Sequence, residues 1–103
     1  MNEEFWEPVG QGGGIAQRPL VERPEGSVKY LRFAPSVAFP LHRHPDRHEW
    51  CVVVSGTATV RVGETTRTLA QGEHAEFPCG LEHQIVGGPE GALVLVGAFR
   101  TGG

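Results

Sequence analysis

Five histidines stand in this chain of 103 residues, and two of them, His42 and His44, are separated by a single position. On an extended backbone, residues two apart point to the same face, so this pair aims two imidazoles at one point. Glu49 follows the Pro45-Asp46-Arg47 break, at the start of a β-branched run, where its carboxylate can reach that point from a neighbouring strand. His83 arrives from a strand after the Pro78-Cys79-Gly80-Leu81-Glu82 turn. Neutral imidazoles with a carboxylate suit one divalent transition metal ion, of which Fe, Mn, Ni, Co and Zn are the candidates. His42, His44, Glu49 and His83 are therefore the candidate ligands. An HxH pair by itself also occurs as a surface or hydrogen-bonded pair, and His48, next to Glu49, is an equally good donor.

These residues need strands to position them. The 15 glycines and 8 prolines punctuate short apolar runs, and helical periodicity is absent. The spacing predicts strands over Val28–Ala34, an approach to His42 and His44, Glu49–Ser55, Ala58–Val62, Thr65–Leu69, a short strand bracketed by Gly72 and Pro78, His83–Val86 and Ala92–Phe99. The strand carrying His42 and that starting at Glu49 are expected to pair as a hairpin, and Gly63-Glu64 to turn a second one. Roughly eight or nine strands in one chain predict an all-β, single-domain barrel or jelly roll, which removes its own edges. Residues 27–103 form that barrel domain. Residues 1–26 form an N-terminal segment, partly flexible or packing through Phe5 and Trp6 on a partner subunit.

Alternation from Glu49 places Cys51, Val53 and Ser55 in the interior, with Cys51 a layer beneath the metal in a packing role. Cys79 is read as structural. His74 matches no ligand position. Tyr30 and Arg32 share a face and are candidates to hold an anionic substrate, since a guanidinium matches a carboxylate or phosphate; a register one residue off would put Leu31 and Phe33 there instead.

Nine Lys and Arg against twelve Asp and Glu give a net charge of −3 with no run of one sign, which excludes a nucleic-acid footprint. Two cysteines without a CxxC pair suit a reducing compartment, and the acidic, non-apolar start is unlike a signal peptide or membrane span. Cytoplasmic residence is the expectation. A barrel this small leaves apolar surface uncovered, so a homodimer is expected as well.

The histidine pattern resembles the two motifs of the cupin superfamily. The first, G(X)5HXH(X)3,4E(X)6G, is matched by His42, His44, Glu49 and Gly56, with Ser36 at its leading glycine. The second, G(X)5PXG(X)2H(X)3N, is matched by Gly72, Pro78, Gly80 and His83, with Gly87 in place of asparagine. The resemblance spans Ser36 to Gly87 and implies a small conserved barrel in which Glu49, with six residues between it and Gly56, is the ligand and His48 faces outward. The stretch HRHPDRHEWCVVVSGTATV also looks like the cupin module of bacterial mannose-6-phosphate isomerase type enzymes. Three histidines and a glutamate leave two positions of an octahedron open, for a chelating substrate or for substrate and dioxygen side by side. The resemblance thus implies a metal-dependent enzyme of dioxygenase, isomerase or decarboxylase type acting on a small oxygen-rich carboxylate, diketone or sugar derivative. The alternative is a non-catalytic sugar- or small-molecule-binding module with a structural metal.

Overall fold

Runs rich in Val, Thr and aromatic residues between glycine and proline breaks favour a pleated backbone. In the computed structural model, which describes residues 6–43 and 46–101, all of the regular structure is strand. The strands are β1 (Glu7–Pro8), β2 (Ile15–Arg23), β3 (Gly26–Phe33), β4 (Arg47–Val62), β5 (Thr65–Leu69), β6 (His74–Phe77) and β7 (His83–Arg100). Every pairing is antiparallel, in the order β1-β2-β3-β7-β4-β5, with β6 on the free edge of β4. No helix among the described residues is long and apolar enough to cross a membrane.

The two long strands make the barrel. β4 and β7 pair along almost their whole length, but the register shifts between Val53 and Ser55 and again between Gly56 and Ala58. Extra residues in one strand of a pair bend it and sharpen its twist. At that bend Gly56 has φ 78° and Gly91 has φ 84°, and a Cβ on Gly56 would lie 2.3 Å from the Gly91 carbonyl oxygen. The bend divides each long strand between two layers. One layer holds β2, β3, the end of β7, the start of β4, and β6; the other holds β5, the end of β4 and the start of β7. Phe77, Leu69, Val53, Val60 and Val94 fill the space between. Each such side chain contributes about 1.5–3 kcal/mol through removal from water.

Several expectations need correction. The predicted breaks at Gly56 and over Gly87–Gly91 are bends within continuous strands. Ser55 is exposed, because the bulge after Val53 reverses which alternate residues face inward and Ala58 and Val60 resume the buried series. The expected hairpin between the His42 strand and the Glu49 strand does not form: the segment before β4 touches the other layer, through the bridges Ala38↔Val86 and His42↔His83. Pro35 and Pro40 interrupt this segment and offer no N–H, which limits it to isolated bridges. A domain boundary at residue 26 would fall within the β2–β3 hairpin, because Ile15–Arg23 is a full strand of the barrel. Phe5 lies outside the described residues.

Ser36, where the resembled motif has glycine, holds φ 60° while its N–H donates to the Gly88 carbonyl at 2.9 Å. A left-handed conformation costs a non-glycine residue about 1 kcal/mol or more. Ser36→Gly is accordingly expected to stabilise the fold by about 0.5–1 kcal/mol, read as a higher urea midpoint at unchanged slope. At Gly87, where the motif has asparagine, a Cβ would approach Phe33 Cβ to 2.8 Å, so no side chain fits.

Candidate metal centre

His42, Glu49 and His83 converge at one end of the barrel. Glu49 points inward from the first layer, His83 stands at the first residue of β7 in the second layer, and His42 is tied to His83 by the bridge between them, His42 N–H to His83 O at 3.0 Å and His83 N–H to His42 O at 2.8 Å. One ligand atom from each of the three lies within 4.8 Å of the others, a group that could hold a metal ion. Glu49 Oε1 is 3.0 Å from His83 Nε2 and 4.0 Å from His42 Nε2. Glu49 and His83 are buried, which polar groups tolerate only with partners.

The tautomers follow from the hydrogen bonds. His42 Nδ1 donates to the Pro40 carbonyl at 2.8 Å and His83 Nδ1 to the Leu81 carbonyl at 3.3 Å. Carbonyls only accept, so Nδ1 carries the proton in both rings and the Nε2 atoms facing Glu49 hold lone pairs in the neutral imidazoles. Two lone pairs and a carboxylate oxygen gathered in a partly buried space repel one another unless something positive sits between them. A divalent ion fits this donor set, and backbone carbonyls behind ligating histidines are a common orienting arrangement. The rings are held from the sides: Phe77 stacks on His83 at 4.5 Å and Phe39 lies tilted against His42 at 5.1 Å.

His44 falls outside the described residues. His48 faces the outer surface, where it hydrogen-bonds Glu76 at 2.9 Å and lies against Phe99. His74 is exposed on β6. Tyr30 and Arg32 do not reach the site, because Lys29, Leu31 and Phe33 occupy the inward positions of β3; Arg32 instead covers the Trp6 ring at 4.5 Å. The one-residue exchange weighed in the sequence is what the fold adopts. It also brings in Lys29, a residue that alternation with buried Leu31 and Phe33 could have flagged.

Cys51 is fully buried beneath the site, and burial pushes its thiol up to about 11. It stays protonated and inert at neutral pH, whereas Cys79 is exposed. Ellman's reagent is therefore expected to titrate one thiol rapidly in the native protein and two in denaturant. Because the buried thiol binds its proton more tightly than the unfolded one, stability should be constant below about pH 9 and fall as pH rises toward 11. A rapid second native thiol would show Cys51 to be accessible.

The site opens into a cavity of about 160 Å³ lined by the three donors, Phe39, Phe77, Leu31 and Ile85, with Lys29 and Arg47 as its cations. A larger hollow of about 820 Å³ lies at the far end of the first layer, beside Trp6 and Gly56. Among the described residues its charged lining groups are Arg32 and Glu90, with no imidazole or thiol, so the smaller cavity is the better candidate for chemistry.

A family profile described as the cupin domain matches residues 29–97. No curated protein matches the chain. Among solved structures, KdgF from Halomonas sp. is similar over 98% of this chain and 92% of its own, at 21% identity and TM-score 0.82. An RmlC-like cupin from Shewanella frigidimarina is similar over 99% and 89%, at 24% identity and TM-score 0.80. A cupin-superfamily sugar phosphate isomerase from Silicibacter pomeroyi is similar over 85% of this chain and 60% of its own, at 25% identity and TM-score 0.75.

Proposed function

Since the chain belongs to the cupin family, we propose that it is a metal-dependent enzyme that acts on a small, oxygen-rich carboxylate, diketone or sugar derivative. The observation that carries this reading is the convergence of His42 Nε2, His83 Nε2 and Glu49 Oε1 at the base of an open cavity, with both Nδ1 protons committed to backbone carbonyls. In this reading His44 supplies a further ligand. The isomerase among the similar structures is compatible with Lewis-acid chemistry, and the same donor set suits iron and dioxygen.

The protein's own residues have definable roles. The backbone carbonyls of Pro40 and Leu81 fix the imidazole orientation, so metal binding requires no ring reorientation. Phe39, Phe77 and Ile85 exclude water from one side of the cavity, which strengthens electrostatic interactions inside it. A bound divalent ion would supply Lewis acidity toward a substrate carbonyl, or a redox centre if it were iron.

The test starts with metal analysis of untagged protein. It continues with turnover assays on protein loaded with Fe, Mn, Ni, Co or Zn, using panels of diketones, sugar acids and sugar phosphates, with oxygen uptake followed for iron. Metal at one equivalent with product formation supports the enzyme. Ligand-induced thermal stabilisation without product would instead support a non-catalytic binding module. Failure of every metal to bind would falsify both.

We also propose a homodimer through the outer face of the first layer. Val28, Tyr30, Trp50, Val52, Leu95 and half-exposed Phe99 form an apolar centre there, with the Trp50 indole lying over Gly97. Arg18 and Arg23 lie on its β2 side and Glu76 on its β6 side. A second copy rotated about an axis parallel to β7 would set the arginine edge of each over the Glu76 edge of the other, an isologous arrangement. Light scattering should give twice the chain mass for the native protein and the single mass for Leu95→Glu. A native monomer at micromolar concentration would exclude this interface. Two cysteines that form no disulfide support a cytoplasmic location.

A further inference from the structure

The cavity above the candidate metal centre carries charge that metal binding does not use. Lys29 sits on the inward face of β3, alternating with buried Leu31 and Phe33. A lysine on a core-facing position loses hydration, and its ammonium normally gains a carboxylate in compensation. Here its partner is a neutral one: Nζ donates to Gln17 Oε1 at 3.3 Å. Arg47, at the first residue of β4, shares the inward side with Glu49 and lines the same cavity. Of the acidic groups among the described residues, Glu49 alone belongs to the lining, and it is directed at His83 and His42.

The charge balance is simple. Two cations against one carboxylate leave the lining positive before any metal is bound, and a divalent ion makes it more so. A ligand with two negative groups, one at the metal end and one at the lysine–arginine end, offsets most of that charge. The remaining walls are apolar, so a carboxylate entering there finds Lys29 and Arg47 as its polar partners. The cavity holds about five waters' worth of volume at ~30 Å³ each, which suits a short diacid and excludes a nucleotide or an oligosaccharide from its interior.

We infer that Lys29 and Arg47 form a carboxylate-binding subsite, and that this protein's ligand is a short dicarboxylate: one acid group is held by this pair while the other end reaches the metal centre. The inference deepens the proposed function and rests on its placing the substrate in this cavity.

Isothermal titration calorimetry on zinc-loaded protein tests it, with malonate, succinate and glutarate against propionate, butyrate and pentanoate, and phosphoglycolate as a phosphate control. The expected result is that at least one diacid binds tenfold or more tighter than its monoacid of equal chain length. That preference should shrink several-fold in Lys29→Met and in Arg47→Met, while the zinc stoichiometry of both variants stays at the wild-type value. Arg47 is exposed, so Arg47→Met should fold even if Lys29→Met does not, and Lys29→Arg should keep the preference. Equal affinity for diacids and monoacids, a preference unaffected by Arg47→Met, or tighter binding of phosphoglycolate than of every diacid would overturn the inference. Should zinc not bind, the metal reading fails on its own evidence. The metal-free cavity, still positive, is then titrated with the same series, and the same outcomes decide.

Discussion

Replacing His83 with alanine is expected to reduce bound metal from one equivalent to a trace, weakening affinity by roughly 100-fold or more, since even partners behind a ligand are worth 10–100-fold. The side chain is 4% exposed, stacks on Phe77 and lies 3.0 Å from Glu49 Oε1. Its removal deletes a donor and empties the space of a buried ring packed on Phe77, so the metal-free protein should also lose about 2–4 kcal/mol. Glu49→Gln separates the two effects. It keeps the shape of the side chain and removes its charge, so metal binding should fall while the fold is largely retained. His48→Ala is the control: that ring pairs with Glu76 on the outer face, and metal content should not change. Elemental analysis of protein dialysed against a chelator-buffered metal series reads all three. A His83→Ala protein that keeps one equivalent would place the ion elsewhere.

The second large effect is structural. Gly56→Ala should destabilise the barrel by about 3–5 kcal/mol, because a left-handed backbone is strained for any L side chain and here the new Cβ would also strike the Gly91 carbonyl oxygen at 2.3 Å. In a domain of this size about 1 kcal/mol corresponds to roughly 4–8 °C, so a fall in Tm of about 12 °C or more is expected. Gly72 gives the comparison. It too is left-handed, at φ 86°, but a Cβ there meets nothing within 4 Å. Gly72→Ala should therefore show the conformational cost alone, about 1 kcal/mol. Similar losses at the two sites would mean that the contact at the barrel bend is readily relieved. Because the bend carries Glu49 and His83 in separate layers that must close on each other, Gly56→Ala is also expected to weaken metal binding.

These two experiments address a site whose parts were unequally visible in the sequence. The candidate donors His42, Glu49 and His83 could be named because residue type and motif spacing are properties of the chain itself. The all-β class and the candidate barrel were legible for the same reason: β-branched runs and turn residues act locally. Ser36 could be seen to replace a motif glycine, but that it holds φ 60° there is visible only in the fold.

Other features depend on pairing. Alternation assigned Ser55 to the interior because a period of two carries no record of a bulge, which is an extra residue counted against a partner strand. The same limit put Tyr30 and Arg32 toward the cavity, when the register of β3 against β7 turns Lys29 and Leu31 inward. A one-residue choice of this kind exchanges every side chain on a strand between core and surface. It decided that the cavity has a lysine where a tyrosine and an arginine were considered. The partner of the His42 segment was likewise fixed by long-range contact: His42 bridges His83, far along the chain, in place of the nearby start of β4.

The sequence by itself thus determined the donor types, the strand-rich class and the glycine positions, since each follows from the chemistry of residues close together in the chain. Tertiary structure decided which donors meet, which residues line the space above them and where the charge falls, because those depend on the register and bending of strands that the chain brings together only when it folds.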